Sequence, residues 1–214
     1  MALADSGEAE IAYCDCGYSA DTEVLGFDAA DDTPRDIDCP KCGKKCHIAR
    51  GIEVSQVFQL GDKYSRAMDC NYIGEDGQPH PFIMGCYGVG ITRLMAAAIE
   101  QWNDERGIMW DTRIAPAHVC VIPLFDDGCG HNKVAEELAY QLSQKNIEVV
   151  VDDRDARAGF KFADADLIGW PYQLVIGKRS LEKGCVELKN RRKPEKQEVP
   201  LEDVVNLLAE EIQL

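Results

Sequence analysis

The sequence predicts a protein of two parts: a first part of short apolar runs and one clear helix, followed by an α/β part of alternating strands and helices. Cysteine pairs, glycine clusters and short apolar runs characterise the first part. After Pro116, apolar runs alternate with helical patterns, which is typical of parallel strands joined by helices. We therefore predict two domains, residues 1–115 and residues 116–214.

Length and composition restrict the class of protein. The chain has 214 residues, of which 45% are hydrophobic, and this fraction excludes wholesale disorder. No apolar run approaches the roughly 20 residues that a membrane helix needs, and the acidic residues 1–10 do not resemble a secretory signal. We therefore expect a cytoplasmic protein with no membrane partner. Its 10 cysteines are then metal ligands, site residues or buried thiols, and not disulfides.

Charge is distributed unevenly along the chain. The excess of 38 acidic over 23 basic side chains argues against non-specific nucleic-acid binding, because phosphate contacts need Lys and Arg. Residues 1–38 carry eleven acids and one base, whereas residues 178–196 carry eight bases and three acids. We therefore expect any contact with an anionic polymer to fall in the C-terminal part.

The first part is predicted to contain two strands and one clear helix. Residues 52–60 and 81–87 have strand-like composition and are separated by turn residues such as Glu75-Asp76-Gly77. Residues 91–102 have the periodicity of an amphipathic helix. Its predicted inward-facing stripe consists of Ile91, Leu94, Met95, Ala98 and Ile99.

The second part is predicted to alternate three strands with two helices. Residues 118–124 form a nearly continuous apolar run, which favours a strand buried on both faces. Further strands are predicted at residues 147–151 and 173–176, with helices at residues 132–145, capped by Asn132, and at residues 162–168. This order implies parallel pairing with right-handed crossovers.

The C-terminal residues are predicted to form two edge strands and a helix. The strands are residues 185–189 and 198–199, and the basic triplet Arg191-Arg192-Lys193 between them is interpreted as a solvated turn. Pro200 is predicted to open the helix, because proline is favoured at the first helical position. The predicted inward-facing residues of this helix are Leu201, Val204, Val205, Leu208 and Ile212.

Two cysteine pairs form the first candidate site. Cys14 and Cys16 are followed by Gly17, and Cys39 and Cys42 are followed by Gly43, so that the backbone can turn tightly around a bound ion. Two closely spaced pairs on separate segments are typical of a closed, structural zinc site with four sulfurs, although iron also fits such ligands. Cys46 and His47 are further candidate ligands. The alternative is two exposed turns that hold reduced cysteines.

A glycine-rich segment leads into the predicted helix at residues 91–102. Gly88 and Gly90 leave room for a ligand or a second backbone. Arg93 lies about 200° around the helix from Ile91, so it is predicted to point away from the apolar stripe. A cation beside the N–H groups of a helix N-terminus suits the phosphates of a nucleotide. The alternative is an ordinary connection followed by a surface arginine.

Several segments, in order along the chain, resemble one known family. Residues 85–94 (GCYGVGITRL) resemble motif 3 of the bacterial-type prolyl-tRNA synthetases, which are class II enzymes. Residues 4–8 are similar to the stretch after motif 2, and residues 50–65 to the strand that lines the proline and ATP pockets. Residues 152–169 and 175–179 are similar to the anticodon-binding domain. The resemblance covers nearly the whole chain.

The resemblance implies part of a class II antiparallel-sheet catalytic domain, followed by a mixed-sheet α/β anticodon-binding domain. It makes Arg93 the catalytic arginine that contacts the ATP phosphates, with Glu53 and Gln56 beside the ATP. It assigns Phe58, Gly85 and Cys86 to the proline pocket. It assigns tRNA binding to Asp153, Arg154, Arg157, Lys161 and Lys178. The alternatives are core packing for Phe58 and Cys86, and a solvated charged loop for the tRNA residues.

The chain departs from the family pattern in three places. Ser55-Gln56 stands where many members have Gly-His. The segment between Glu23 and Cys39 is short, whereas many members insert there an editing domain that hydrolyses alanyl-tRNA. We therefore expect that this chain does not edit in cis. We also expect that the metal holds together the two strands that border this position. Motifs 1 and 2 are absent, with their dimer contact and α-phosphate arginine. We therefore expect that the chain alone does not aminoacylate tRNA.

The predicted function is part of a proline–tRNA ligase, which activates proline with ATP and Mg²⁺ and transfers it to tRNA(Pro). A structural zinc ion and the homodimer of the full-length family are further expectations. The alternative is a non-catalytic tRNA-binding or accessory protein derived from the same region. A third hypothesis is a zinc-dependent redox or regulatory protein. Arg93 favours the ligase, because a pure binding module gains nothing from an ATP-facing arginine.

Overall fold

The computed structural model describes residues 1–27, 36–124, 128 and 130–212. They form two compact units, Met1–Glu100 and Gln101–Leu214. The boundary predicted at residue 116 falls inside the second unit, and as a division between functional domains it stays a prediction. Most of the short segment predicted between Glu23 and Cys39, namely residues 28–35, lies outside the described residues.

The described residues of the first unit form short strands and two helices. Its elements are β1 (Ala2–Leu3), β2 (Ala9–Tyr13), β3 (Ser19–Asp21), β4 (His47–Ile52), β5 (Ser55–Gly61), α1 (Lys63–Ala67), β6 (Asn71–Ile73), β7 (Pro79–Pro81), β8 (Met84–Val89) and α2 (Ile91–Gln101). All strand pairs in this unit are antiparallel, as predicted. The strands form one four-stranded sheet in the order β1-β4-β2-β3 and two hairpin-like pairs, β5 with β8 and β6 with β7.

The strands predicted at residues 52–60 and 81–87 correspond to β5 and β8, but both begin later than predicted, and Ile52 and Pro81 belong to other strands. β4 ends at Ile52 and β5 begins at Ser55 in a different sheet. Between them, the N–H of Glu53 donates to the side chain of Glu8 instead of continuing a ladder. β7 ends at Pro81 and β8 begins at Met84. The break at residues 53–54 is what places Glu53 at the edge of a cavity.

Helix α2 is amphipathic, but its apolar stripe is not buried within the described residues. Ile91 is 73% exposed, Met95 is 54% exposed and Leu94 is 41% exposed, whereas Ala97 is buried. The prediction that the stripe faces inward is therefore wrong for these three residues. Periodicity identifies the face of a helix, but it does not provide the surface that covers it.

The second unit contains a five-stranded mixed sheet and four helices among its described residues. Its elements are β9 (Asn103–Asp104), β10 (Gly107–Ile108), β11 (Val119–Pro123), α3 (His131–Ser143), β12 (Val149–Val151), α4 (Ala158–Ile168), β13 (Tyr172–Ile176), α5 (Lys178–Glu182), β14 (Cys185–Asn190), β15 (Lys196–Pro200) and α6 (Val204–Glu211).

The large sheet has the order β12-β11-β13-β14-β15. The three strands β12, β11 and β13 are parallel, and β14 and β15 extend the sheet in antiparallel pairs. Every residue of β11 and of β13 is buried, which explains why neither sequence alternates between apolar and charged residues; the amide of Gln173 in β13 donates to the carboxylate of Asp166. The predicted parallel strands and mixed sheet are thus present.

Local details of three elements differ from the prediction. Helix α3 begins at His131 after Gly130, which has φ +81°, so Asn132 lies inside the helix and is not its cap. Strand β14 lies between β13 and β15 and is not an edge strand. Pro200 is the last residue of β15, and the final helix begins only at Val204. A proline is tolerated at a strand end because it lacks only an N–H donor.

The hairpin of β9 and β10 packs against the end of α4 through two glycines. A Cβ on Gly107 would lie 2.4 Å from the Cα of Leu167, and a Cβ on Gly169 would lie 2.1 Å from the carbonyl oxygen of Ile108. The indole N–H of Trp110 donates to the carbonyl of Ile168 at 2.9 Å. Residues 101–115 therefore belong structurally with the sheet that follows them.

Arg191 is not in a solvated turn, and that prediction is wrong. Its side chain is fully buried and forms two hydrogen bonds with the carboxylate of Asp104, at 2.6 and 2.9 Å. Its Nε also donates to the carbonyl of Asp166, whose carboxylate pairs with Lys189. The network fastens the β9–β10 hairpin to the sheet.

The described helices include none that combines the length and apolar character needed to cross a membrane.

Candidate functional site

Strands β2 and β4 hold two acidic residues at one end of their ladder. Ala9 pairs with Gly51 at that end, so Glu8 and Glu53 lie just beyond it. Gly7 packs against Gly51 so closely that a Cβ would lie 2.3 Å from the Gly51 carbonyl carbon, and Arg50 Nε donates to the Gly7 carbonyl at 3.0 Å. These contacts fix the position of the Glu8 side chain.

Arg93 lies in the first turn of α2 and reaches both acidic segments. Its Nη1 donates to the carbonyl oxygen of Glu53 at 2.9 Å and to the carboxylate of Glu8 at 3.3 Å. The N–H groups of Glu8 and Glu53, and then the positive charge of Arg93, hold the pKa of the Glu8 carboxyl below its usual range. The guanidinium is therefore half-exposed and held toward Glu53, beside a carboxylate.

An open cavity of about 300 Å³ lies in front of this arginine. It is lined by Glu53, Val54, Ser55, Gln56, Gly88, Val89, Gly90, Thr92 and Arg93. A Cβ on Gly88 would lie 3.2 Å from the side chain of Gln56, and one on Gly90 would lie 3.1 Å from Cβ of Arg93. The glycines therefore leave the space that Gln56 and Arg93 occupy. The structure brings Glu53, Gln56 and Arg93 to one cavity.

The predicted proline residues lie on the ladder of β5 and β8. Phe58 pairs directly with Cys86, and Gln56 pairs with Gly88. Because alternate residues of a strand share a face, Gln56, Phe58 and Cys86 lie on one face of this pair. Phe58 is 49% exposed and Cys86 is exposed, so neither is a core residue within the described structure.

Gly85 differs from its predicted partners. It pairs with Gln59, one residue along the strand from Cys86, and so belongs to the opposite face. A Cβ at Gly85 would lie 3.0 Å from the Tyr87 hydroxyl, so that face is occupied by the tyrosine ring. Only the backbone of Gly85 is therefore available to a ligand that lies on the face of Phe58.

The four predicted metal ligands come together. One ligand atom from each of Cys14, Cys16, Cys39 and Cys42 lies within 4.8 Å of the others. The Sγ atoms of Cys14 and Cys42 are 3.5 Å apart, and those of Cys16 and Cys39 are 3.6 Å apart. Cys46 and His47, the further candidates, are not in this group.

The thiols of this cluster have unequal acidities. Desolvation raises the pKa of Cys39, but the N–H groups of Lys41 and Cys42 outweigh it and bring the pKa down to about 6. The N–H of Lys44 lowers the pKa of Cys42, but the thiols of Cys14 and Cys16 and desolvation raise it to about 12.

The predicted tRNA residues have three different environments. Asp153, Arg157 and Lys178 are exposed, and Arg157 occupies the N-cap position of α4. Arg154 is exposed but pairs with Asp152 and Asp164, at 2.8 Å in each case. These ion pairs occupy the guanidinium and raise its pKa further above the usual range.

The side chain of Lys161 is only 3% exposed. Such burial does not allow direct contact with tRNA, so any role of Lys161 in tRNA binding is indirect. Its ammonium donates to the carbonyl oxygens of Pro123 and Asp152, at 2.8 Å in each case. These carbonyls lie where β11 ends and just after β12. The side chain therefore joins the starts of the loops that follow β11 and β12, and it does not reach solvent.

A second cavity, of about 290 Å³, adjoins Arg154. Its walls include Val150, Ile168 and Trp170, and Asp153 lies at its rim with Arg154. An apolar wall with an indole and a charged rim is a combination that suits a planar, polar-edged ligand.

Sequence reasoning missed the contact of Glu8 with Arg93 and the close packing of Gly7 against Gly51. Glu8 lies among many acids in the N-terminal 38 residues, and neither periodicity nor spacing distinguishes it. Only its proximity to Glu53 and Arg93 does, and those residues are 45 and 85 positions away.

Two family models match the chain. The tRNA synthetase class II core domain (G, H, P, S and T) matches residues 11–102, and the anticodon binding domain matches residues 118–211. The two matches follow the order and the class II fold that the sequence predicts.

Proline–tRNA ligases are similar to the chain over most of its length. The protein from Moorella thermoacetica is 48% identical over 179 residues, which are 82% of this chain and 31% of that protein. The protein from Magnetococcus marinus is 42% identical over 219 residues, which are 96% of this chain and 38% of that protein. The chain thus spans about a third of the length of these relatives.

A solved prolyl-tRNA synthetase from Cryptosporidium parvum, in complex with L-proline and AMP, has the same fold over 77% of this chain and 34% of its own. The TM-score is 0.66 and the sequence identity is 21%. The fold class predicted from sequence is therefore confirmed. The chain is a homologue of part of the proline–tRNA ligases, and it carries residues of a class II synthetase core followed by an anticodon-binding domain.

Proposed function

We propose that this chain is part of a proline–tRNA ligase, an enzyme that activates proline with ATP and transfers it to tRNA(Pro). The observation that carries the proposal is the position of Arg93, which lines a 300 Å³ cavity together with Glu53 and Gln56. The similarity to proline–tRNA ligases over most of the chain supports the same function.

Arg93 is the catalytic residue of the proposal and contacts the phosphates of ATP. Its guanidinium presents N–H donors at the beginning of α2, where the helix dipole also favours an anion. Glu53 and Gln56 lie beside the nucleotide, and Mg²⁺ accompanies ATP as its counter-ion. Glu8 is then the carboxylate that holds Arg93 before the phosphates arrive.

Phe58 and Cys86 form part of the proline pocket on the same face as Gln56. Gly85 contributes only backbone there. In the reaction, the proline carboxylate attacks the α-phosphate, the adenylate forms and pyrophosphate leaves. This chain accelerates the step by holding the two reactants next to each other and by placing positive charge near the phosphates.

The second unit contributes tRNA recognition. Arg157 and Lys178, which are exposed, contact phosphates or base edges, and Arg154 and Asp153 lie at the rim of the apolar cavity. We propose that an unstacked anticodon base enters this cavity against Trp170. Lys161 contributes to tRNA recognition indirectly, because its ammonium positions the starts of two loops, at Pro123 and at Asp152.

The expected homodimer and the absence of editing in cis are parts of the proposal that rest on the family resemblance, and the expected cytoplasmic location rests on the sequence pattern. The solved relative was crystallised with L-proline and AMP, which supports the same two ligand classes for this chain.

A chimeric enzyme tests the catalytic part of the proposal. The aligned third of the Magnetococcus marinus ligase is replaced by this chain, and proline-dependent exchange between ATP and pyrophosphate is measured. We expect exchange in the chimera and a loss of about 100-fold or more for Arg93→Ala, because a charge-stabilising donor is removed. The matched control is Arg66→Ala, an exposed arginine of α1 that pairs with Asp62.

Two results would contradict the proposal. Exchange by Arg93→Ala within about threefold of the parent chimera would remove Arg93 from the catalytic site. A folded chimera that binds tRNA(Pro) but never supports exchange would favour the alternative function, a non-catalytic tRNA-binding protein.

A further inference from the structure

The four cysteines at 14, 16, 39 and 42 belong to two tight turns of similar build. In the first turn, the N–H of Cys14 donates to the carbonyl of Tyr18 and the N–H of Gly17 donates to the carbonyl of Cys14, both at 2.9 Å. Gly17 has φ +83°, a conformation that a side chain would strain. The turn therefore presents the sulfurs of Cys14 and Cys16 together.

The second turn repeats this arrangement. The N–H of Cys39 donates to the carbonyl of Lys44 at 2.7 Å, and the N–H of Gly43 donates to the carbonyl of Cys39 at 2.8 Å. Gly43 has φ +74°. Two independent turns, each built around a glycine, thus direct two sulfurs apiece toward one point.

The spacing of the sulfurs matches a tetrahedral metal site. Bonds of about 2.3 Å from zinc to sulfur give a tetrahedron with edges of about 3.8 Å. The Sγ atoms of Cys14 and Cys42 are 3.5 Å apart, those of Cys16 and Cys39 are 3.6 Å apart, and all four ligand atoms lie within 4.8 Å of one another. Disulfide bonds of about 2.05 Å are much shorter than these separations.

We propose that Cys14, Cys16, Cys39 and Cys42 bind a single zinc ion with four thiolates, and that the ion has a structural role. Four sulfurs complete the tetrahedral shell and leave no position for a substrate. Lys41, whose ammonium donates to the carbonyl of Cys16, and the neighbouring Lys44 supply positive charge beside the dianionic centre. The proposal is independent of the proposed ligase activity.

The location of the metal indicates what it stabilises. Strands β2 and β4 pair from Ala9–Gly51 to Tyr13–His47, and the cysteine turns lie beyond the second end of this ladder. Glu8 and Glu53 lie beyond the first end. The ion therefore fastens one end of the two strands whose other end carries the Arg93 contacts, and it joins turns that are more than 20 residues apart in sequence.

Metal content is measured on the whole chain, produced in zinc-supplemented medium and purified without chelator or histidine tag. We expect about one zinc per chain by mass spectrometry of the metal. Replacement by Co²⁺ should give the sulfur-to-metal charge-transfer bands and the intense visible bands of a tetrahedral cobalt site with four thiolates. Removal of zinc by a chelator should lower the thermal unfolding midpoint by several degrees.

Variants assign the ligands. Cys42→Ser changes the most exposed of the four cysteines and should weaken zinc affinity at least about tenfold, because a neutral hydroxyl replaces a thiolate. Cys70→Ser changes an exposed cysteine outside the cluster and should retain full metal content. If Cys42→Ser does not fold, the cobalt spectrum of the unchanged chain decides the question.

Three results would overturn the proposal. The first is less than about a fifth of an equivalent of zinc after reconstitution of reduced protein. The second is a cobalt spectrum without thiolate charge transfer. The third is a mass four hydrogens lower than the reduced chain for protein kept under reducing conditions, which would indicate two disulfides instead of a metal site.

Discussion

The carboxylate of Glu8 lies 3.3 Å from Nη1 of Arg93 and accepts the N–H of Glu53 at 3.1 Å. One acidic side chain therefore joins three segments that meet only in the folded protein. If Arg93 binds the ATP phosphates, as we propose, then the Glu8 carboxylate has two opposing effects: it orients the arginine, and it competes with the phosphates for the same guanidinium.

Replacement of Glu8 separates these two effects. Glu8→Gln retains an oxygen that accepts the Glu53 N–H but removes the negative charge beside Arg93. We expect ATP to bind up to about fivefold more tightly, because an exposed ion pair contributes only weakly. Titration calorimetry with ATP and Mg²⁺ measures the change, and Glu75→Gln, in an exposed turn, is the control. Weaker binding would show that orientation of Arg93 matters more than competition.

Lys161 is predicted to act on stability. Lys161→Met keeps an unbranched side chain but leaves the carbonyls of Pro123 and Asp152 without this donor. We expect a loss of about 1–3 kcal/mol in the free energy of unfolding. Urea unfolding measures it, with the exposed Lys133→Met as the control, expected within about 0.5 kcal/mol of the parent. Unchanged stability of Lys161→Met would contradict this structural role of the buried ammonium.

Arg157 is predicted to act on tRNA binding without affecting stability. It is exposed at the beginning of α4, and we expect Arg157→Ala to weaken binding of tRNA(Pro) about threefold to tenfold in 100 mM salt. The slope of log affinity against log salt should fall by about one unit if the contact is to a phosphate. Fluorescence anisotropy gives both quantities. Equal affinity of Arg157→Ala and the parent would mean that the binding face lies elsewhere.

We predict that low pH lowers the free energy of unfolding of the second unit, because Asp104 becomes protonated. Hydrogen bonds from Arg191 hold the pKa of the Asp104 carboxyl well below its usual range. A carboxyl with a lowered folded pKa stabilises the folded state above its unfolded pKa of about 3.9, and this contribution is lost as the pH falls below that value. Stability should therefore decrease on acidification below about pH 4.

Asp104→Asn identifies the group responsible. The variant should be less stable than the parent at pH 7, and the difference should shrink as the pH is lowered from 4 to 2. Urea unfolding across this range measures the difference, and Asp155→Asn, which changes an exposed aspartate of the same unit, is the control. A difference that does not change with pH would assign the effect to packing instead of charge.

The sequence predicted the second unit well, because its signals are local. A nearly continuous apolar run identified β11, which is buried throughout, and helical spacing identified α3 and α6. Element boundaries were less accurate. Pro200, for example, ends a strand instead of opening a helix, because its ladder to β14 decides its role.

The candidate site was predictable where neighbouring residues carry the signal. The cysteine spacing identified four thiols that the structure brings together, and the glycine-rich segment before α2 identified Arg93. The face of Gly85 and the exposure of the α2 stripe were not predictable, because they depend on strand register and on what covers the helix.

The sequence by itself determined the two-part organisation, the order of the main elements and the family. Tertiary structure alone decided which charged residues are buried and which face a cavity. Arg191 pairs with Asp104, which is 87 positions away in the sequence, and Arg93 pairs with Glu8, which is 85 positions away. The physical reason is that the cost of burying a charge depends on its partner, and a partner so distant in sequence is defined only when the chain has folded.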